Sequence, residues 1–246
     1  MKTHATLFTL AAVALTAGPL AADHHKGGGF KSIFDGKTLN GWKSSTDNPA
    51  AFSVEKDGTL KVTGERAHLF YVGKDGAAAF SNFELKLKAK TMPSANSGVY
   101  FHTKYQAEGW PSQGYEAQVN STQGDPKKTG SLYGVVNLWQ DKRAFEGGQS
   151  IPFITIDPKG GTNLHVKEAP SVDNEWFDYH IIVEGKKITL KINGQTTVEF
   201  TEPKGWEGPN PRMSGRKLSK GTIAFQAHDP GSTVFYKDIM LKVTDK

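Results

Sequence analysis

Along much of the chain the apolar positions recur with a period of two. Phe83, Leu85, Leu87 and Ala89 alternate with Glu84, Lys86, Lys88 and Lys90. Ile188, Leu190 and Ile192 alternate with Lys187, Thr189 and Lys191. Such alternation predicts strands with one buried and one wet face. Asn193-Gly194 follows the second run and predicts a tight hairpin into 197–201, and Asp57-Gly58 predicts another between 52–56 and 59–63. Glu184-Gly185 predicts a third turn, between 179–183 and the strand that begins at Lys187. Segment 234–243 also reads as extended. No long stretch carries a capped i, i+3, i+4 helical pattern. Many short strands with frequent turn signals predict an all-β fold, a β-sandwich or jelly roll. Three longer connections, 104–114, 140–162 and 202–220, interrupt the strands, and long loops in a compact β domain often carry function.

Three strands have an unusual polar face. In 98–103, Val99 and Phe101 point one way and Gly98, Tyr100 and His102 the other. In 115–120, Tyr115, Ala117 and Val119 oppose Glu116, Gln118 and Asn120. In 222–228, Ile223, Phe225 and Ala227 oppose Thr222, Ala224, Gln226 and His228. The apolar set must face the core. The opposite set holds two histidines, a carboxylate, amides and an aromatic ring. Amides and carboxylates pair with sugar hydroxyls, and aromatic faces cover pyranose rings. With the three strands side by side, this face is a sugar-binding cleft with an acid/base set. Taken singly, His102 and His228 read more readily as ordinary cross-strand residues, and Glu116 could be a solvated one. Repetition across three strands singles the face out. Lys104 and Trp110, in the loop after His102, complete the candidate substrate-binding set, with Tyr105 beside them. Trp110 either roofs the cleft or anchors its loop. Trp42, Trp139, Trp176 and Trp206 read as core or loop anchors.

The N-terminus places this face outside the cytoplasm. Lys2 precedes an uncharged apolar run, 7–17, and small residues lead to Ala21-Ala22. The run is too short to span a bilayer, and Gly18 and Pro19 interrupt its end, so 1–22 reads as a cleaved export signal. A retained membrane anchor is the alternative. Residues 23–29 form a polar leader, in which His24 and His25 could take a metal only adventitiously. No later stretch is long and apolar enough to cross a membrane, so the mature chain is expected to be periplasmic or secreted. Beyond the leader, residues 30–246 read as one domain.

Composition removes other classes. The chain has no cysteine, hence neither a disulfide nor a thiolate nucleophile. Its net charge of +5 is dispersed. The basic pairs Lys127-Lys128, Lys186-Lys187 and Arg216-Lys217 read as solvated loop ends, and no basic block is interleaved with aromatics, so nucleic acid is not an expected partner. No serine-hydrolase elbow, H-E-x-x-H motif, phosphate loop or EF-hand occurs, so no nucleotide is expected either.

The same residues carry a family resemblance. The segments FDGKTLNGW at 34–42, NSGVYFH at 96–102, GYEAQV at 114–119, TGSLYG at 129–134, Asn193-Gly194, and IAFQAHD at 223–229 follow one another in the order of the 3-keto-disaccharide hydrolase domain family. Each motif is weak alone; the ordered set is specific and covers nearly the whole mature chain. The resemblance implies a concanavalin A-like jelly roll of two antiparallel sheets, and action on glycosides whose sugar has been oxidised to a 3-ketone. Its motif falls on Glu116 and on His228, while many relatives carry Arg where His102 stands. Some members use a divalent metal, and a His102/His228/Glu116 set could bind one. The expected chemistry is removal of the C2 proton, elimination of the glycosidic oxygen from C1, and water addition. Glu116 would be the base or a metal-bound carboxylate, with His228 and His102 as acid, enolate partner or ligand. Tyr100, Gln118, Asn120 and Gln226 would grip hydroxyls. A lectin-like binding module on the same fold is the alternative function, and a structural or adhesion domain a third.

Overall fold

The structure, a computed structural model, describes residues 29–121, 128–137, 162–164 and 169–245. The expected export signal, most of the leader with His24 and His25, Lys127, Trp139 and most of loop 140–162 lie outside the described residues. Among the described residues fourteen strands form two sheets. The larger sheet contains β1 (Lys31–Ser32), β3 (Phe52–Val54), β4 (Leu60–Thr63), β6 (Phe83–Thr91), β9 (Thr162–Leu164), β10 (Phe177–Glu184), β11 (Lys187–Ile192), β12 (Gln195–Thr201) and β14 (Thr233–Val243). Its order is β3-β4-β14-β6-β10-β11-β12-β9, with β1 paired to β14. The smaller sheet is β2 (Trp42–Ser44), β5 (Ala67–Tyr71), β13 (Thr222–Ala227), β7 (Asn96–Thr103) and β8 (Tyr115–Asn120), in that order. Every pairing is antiparallel. The chain is therefore the expected all-β jelly-roll sandwich.

The core lies between the sheets. Leu85, Leu87, Ile181 and Leu190 of the larger sheet meet Val99, Phe101, Ala117 and Phe225 of the smaller one. The other face of the larger sheet is wet, as the alternation of β6 and β10 requires. Asn193 and Gly194 turn β11 into β12 with φ of 50° and 78°, a left-handed pair suited to a two-residue hairpin. Asp57-Gly58 joins β3 to β4, and the Asp57 carboxylate accepts from the Thr59 amide. The third turn sits one residue later than expected: Glu184 pairs with Lys187, and residues 185–186 turn the chain.

The smaller sheet behaves differently. β7, β8 and β13 are buried along their whole length, so both their faces are covered. The solvated reading of the basic pairs holds for Lys186 and Lys187 and fails for Lys128 and Arg216, which are buried.

The β7–β13 register also breaks once. Thr222 pairs with Thr103 and Ile223 with Phe101, so His102 has no opposite number and takes a φ of 56°. Two glycines make room for this bulge. A Cβ at Gly221 would lie 2.5 Å from the carbonyl carbon of His102, and one at Gly114 would lie 2.2 Å from the carbonyl oxygen of Phe101. Gly221→Ala should therefore lower stability by about 1–3 kcal/mol, the range for overpacking. Urea unfolding monitored by circular dichroism measures this, and an unshifted midpoint contradicts it.

Candidate functional site

The outer face of the smaller sheet is organised by two rows of residues paired across its strands. One row runs Phe70, Ala224, Tyr100, Glu116, and the next runs His68, Gln226, Gly98, Gln118. Side chains in each row share the outer face because paired residues in a sheet project to the same side. The first row supplies a small apolar floor, in which Phe70, Tyr100 and Ala224 pack together. The second supplies amides and an imidazole. Gly98 is the gap between the rows: a Cβ there would stand 2.4 Å from Oε1 of Glu116. The carboxylate of Glu116 lies over that bare backbone.

Glu116 is buried and paired. Arg216, from the Gly- and Pro-rich loop 202–220, donates from Nη2 to Glu116 Oε2 at 3.2 Å and to the Tyr100 hydroxyl at 3.4 Å. Its Nη1 donates to the Gly114 carbonyl at 3.3 Å. Arg216 is only 9 % exposed. Burial opposes its charge, but Tyr100 and Glu116 outweigh that effect and hold its pKa above the ordinary value. Burial, reinforced by the Glu116 charge, pushes the Tyr100 phenol far up, so it remains a neutral donor. Gln226 Nε2 donates to the same phenol at 3.3 Å.

His228 follows β13 at the edge of this face. Its Nδ1 lies 2.9 Å from Asp229 Oδ1, while Asp229 Oδ2 accepts from Asn96 Nδ2 at 3.0 Å. That contact fixes Nδ1 and leaves Nε2 as the atom free to meet a ligand. Trp110 leans on the His228 ring, with centroids 4.8 Å apart. Its loop is fastened where the Gly109 amide donates to Asp47, which also pairs with Arg66 at 2.8 Å. Trp110 is 43 % exposed and roofs the face.

The chain matches the 3-keto-alpha-glucoside-1,2-lyase-like domain over residues 29–242. It belongs to that family. A 3-keto-disaccharide hydrolase of Bacteroides thetaiotaomicron is 35% identical over 243 residues, covering 88% of this chain and 79% of that protein. Two solved structures from Parabacteroides distasonis, each of a candidate glycosyl hydrolase, share the fold. One gives a TM-score of 0.63 at 21% identity, over 88% of this chain and 94% of its own. The other gives 0.56 at 24% identity, over 87% and 99%.

Within this family framework the residues expected from the sequence separate into two groups. Glu116, Tyr100, Gln226, His228 and Trp110 gather on the outer face, although no hydrogen bond joins Glu116 to His228 among the described residues. His102 does not join them. The bulge reverses its direction, so its Nε2 meets the Ser81 carbonyl at 2.9 Å and its Nδ1 accepts from the Ser219 amide at 3.1 Å. Phe83 and Phe101 flank the ring. Gln118 and Asn120 face outward but are committed to the fold. Gln118 donates to Asn96 Oδ1 and the Ser97 carbonyl, and Asn120 accepts from the Lys128 amide and donates to the Ser121 carbonyl. Lys104 is exposed, two residues beyond the bulge. With His102 turned away and Glu116 paired to Arg216, the His/His/Glu metal set does not form. Among the described residues no three His, Cys, Asp or Glu side chains cluster as metal ligands.

Two residues of this face escaped the sequence reading, Arg216 and His68. Burial pushes His68 down to about 3, and it also pushes His102 down to about 4 despite the contact with Ser81. Both rings are therefore neutral in the fold and gain protons on unfolding once the pH drops below their ordinary 6.5. Their contribution to stability is complete above about pH 6.5 and is lost as the pH falls toward 4, by up to about 1.4 kcal/mol per pH unit for each ring. Urea midpoints at pH 7, 6 and 5 should fall in step, and a flat profile contradicts the neutral burial of these rings.

Proposed function

We propose that the chain cleaves the glycosidic bond of 3-keto-glycosides by elimination, with water addition completing a net hydrolysis. The observation that carries this reading is the Glu116 carboxylate seated over Gly98 and clamped by Arg216 beside a neutral Tyr100 phenol. A 3-ketone acidifies the proton on C2. Glu116 Oε1 takes that proton while Arg216 holds Oε2, and the electron pair passes into the C2–C3 bond and onto the ketone oxygen. Tyr100 and Arg216 are the donors that stabilise the resulting enolate. The enolate then re-forms the ketone and expels the C1 oxygen, which takes the Nε2 proton of a doubly protonated His228 whose Nδ1–H stays on Asp229. Water adding to C1 of the enone, with a proton returned to C2, restores a 3-keto sugar. Gln226 grips a hydroxyl and Trp110 covers the ring. His102, Gln118 and Asn120 serve the scaffold in this scheme. Family membership and the likeness to the Bacteroides thetaiotaomicron 3-keto-disaccharide hydrolase support the substrate class.

Glu116→Gln should reduce turnover of a 3-keto-glucoside by about 10²–10⁴-fold, the usual contribution of a general base. Some stability is lost with it, because buried Arg216 loses its counter-charge. Reducing-sugar release assayed on folded protein tests this, and turnover within a few-fold of wild type removes Glu116 as the base. Retained sugar binding by a wild-type protein that cleaves nothing favours the lectin-like alternative.

We also place this activity outside the cytoplasm, supported by the uncharged apolar run 7–17 and the small residues before Asp23. N-terminal sequencing of protein purified from a secreting host should begin near Asp23. An intact Met1 on the exported fraction contradicts cleavage.

A further inference from the structure

His68 stands out among the buried groups of the site. It is 0 % exposed, and neither ring nitrogen has a hydrogen-bond partner. The Oε1 atom of Gln226, its paired neighbour on β13, is also buried and unpartnered. Three orphaned polar atoms thus meet on one patch of the outer face. The His68 ring stands edge-on to Tyr100, with centroids 5.4 Å apart, and to Trp110 at 5.7 Å. An unpaired buried polar group costs about 1–3 kcal/mol. An apolar side chain would fill this aromatic box without that penalty, so packing alone does not account for a histidine here.

The chemistry of the patch specifies its ligand. A neutral imidazole offers one N–H donor and one acceptor nitrogen, and the amide oxygen adds a second acceptor. A sugar hydroxyl donates and accepts at once, so it complements both. The spacing is also suitable. His68 lies two strands from Gly98, about 10 Å away at ordinary strand separation, and the Glu116 carboxylate sits over Gly98. A pyranose with C2 at Glu116 has its C6 hydroxyl at the far end of that span, between the Tyr100 and Trp110 rings.

We propose that His68, with Gln226, forms the subsite that recognises the C6 hydroxyl of the pyranose, so that the protein selects hexosides over pentosides. The inference rests on the proposed C2 chemistry at Glu116, and it assigns the other end of the same ring. Trp110 closes this subsite, and its loop must shift for the ring to enter.

The test compares a 3-keto-glucoside with the matching 3-keto-xyloside, which lacks the C6 hydroxymethyl group. In wild type the glucoside should have a KM at least 10-fold lower. His68→Leu should raise KM for the glucoside about 10-fold, lower kcat much less, and leave the xyloside unchanged. The melting temperature of His68→Leu should hold or rise, because an unsatisfied polar group is removed. A fall in melting temperature with unaltered KM would assign His68 to the scaffold and overturn the proposal. Should wild type turn over neither sugar, the readout is the imidazole ¹⁵N resonances of His68, identified by their loss in His68→Leu. A shift of these resonances on adding the 3-keto-glucoside, and not the xyloside, supports the subsite even where the elimination chemistry fails. Resonances indifferent to both sugars overturn it, and a trapped water would then be the partner of the ring.

Discussion

The contact between Glu116 and Arg216 governs more of this molecule than its single hydrogen bond suggests. It joins the middle of β8 to an irregular loop a hundred residues further along the chain. Through the same guanidinium the loop is tied to the Tyr100 phenol on β7 and to the Gly114 carbonyl at the start of β8. Neither charge could be buried alone, since removing an ion from water without a partner costs several kcal/mol. The carboxylate therefore requires the loop, and the loop requires the carboxylate. Further bonds anchor the same segment from the other side: Trp206 Nε1 donates to the Arg216 carbonyl, and the Leu218 amide and the Tyr115 hydroxyl both donate to Glu202. A segment with little regular structure is thus bonded to the sheet and to itself at several points.

This arrangement reconciles an ordinary sandwich with a buried polar face. The larger sheet follows the familiar division, one face toward the core and one toward water. The smaller sheet has a second buried face, where loops 104–114 and 202–220 lie over it. Polar groups enclosed there keep their positions because almost all are satisfied. Gln118, Asn120 and Asn96 bond to backbone or to one another. Against that background the unsatisfied atoms of His68 and Gln226 stand out on the strands.

How much of this was legible in the sequence depends on which sheet is considered. In β6, β10 and β11 water on one side enforces alternation, so period and turn residues define the elements and even the Asn193-Gly194 hairpin. In β5 the sequence AHLFY shows no alternation, because both faces are buried. The strand carrying His68 was accordingly invisible to a period-based reading. Glu116, Tyr100 and Gln226 were found because parity within β7, β8 and β13 is locally correct. His102 was misdirected because a bulge inserts one residue and reverses parity beyond Phe101. The glycines at 114 and 221 were the available sign of that irregularity, but each reads equally well as a turn. Arg216 lies among Gly, Pro and Ser residues, where a cation looks solvated. Only the tertiary path of the loop reveals its buried partner.

Gly98 defines the seat of the carboxylate by what it lacks. The seat of the Glu116 carboxylate is the volume that a methyl group at position 98 would occupy. The carboxylate and the empty position form one unit, although they lie on different strands and are separated by seventeen intervening residues. A relative that keeps the glutamate but bears any side chain at the position of Gly98 would present its carboxylate elsewhere, or not at all. Such a chain would retain the sandwich, the loops and much of the outer polar surface. On the proposed mechanism, reading these two positions together separates members equipped for chemistry from members that can only hold a glycan, a distinction that inspection of the glutamate alone would miss.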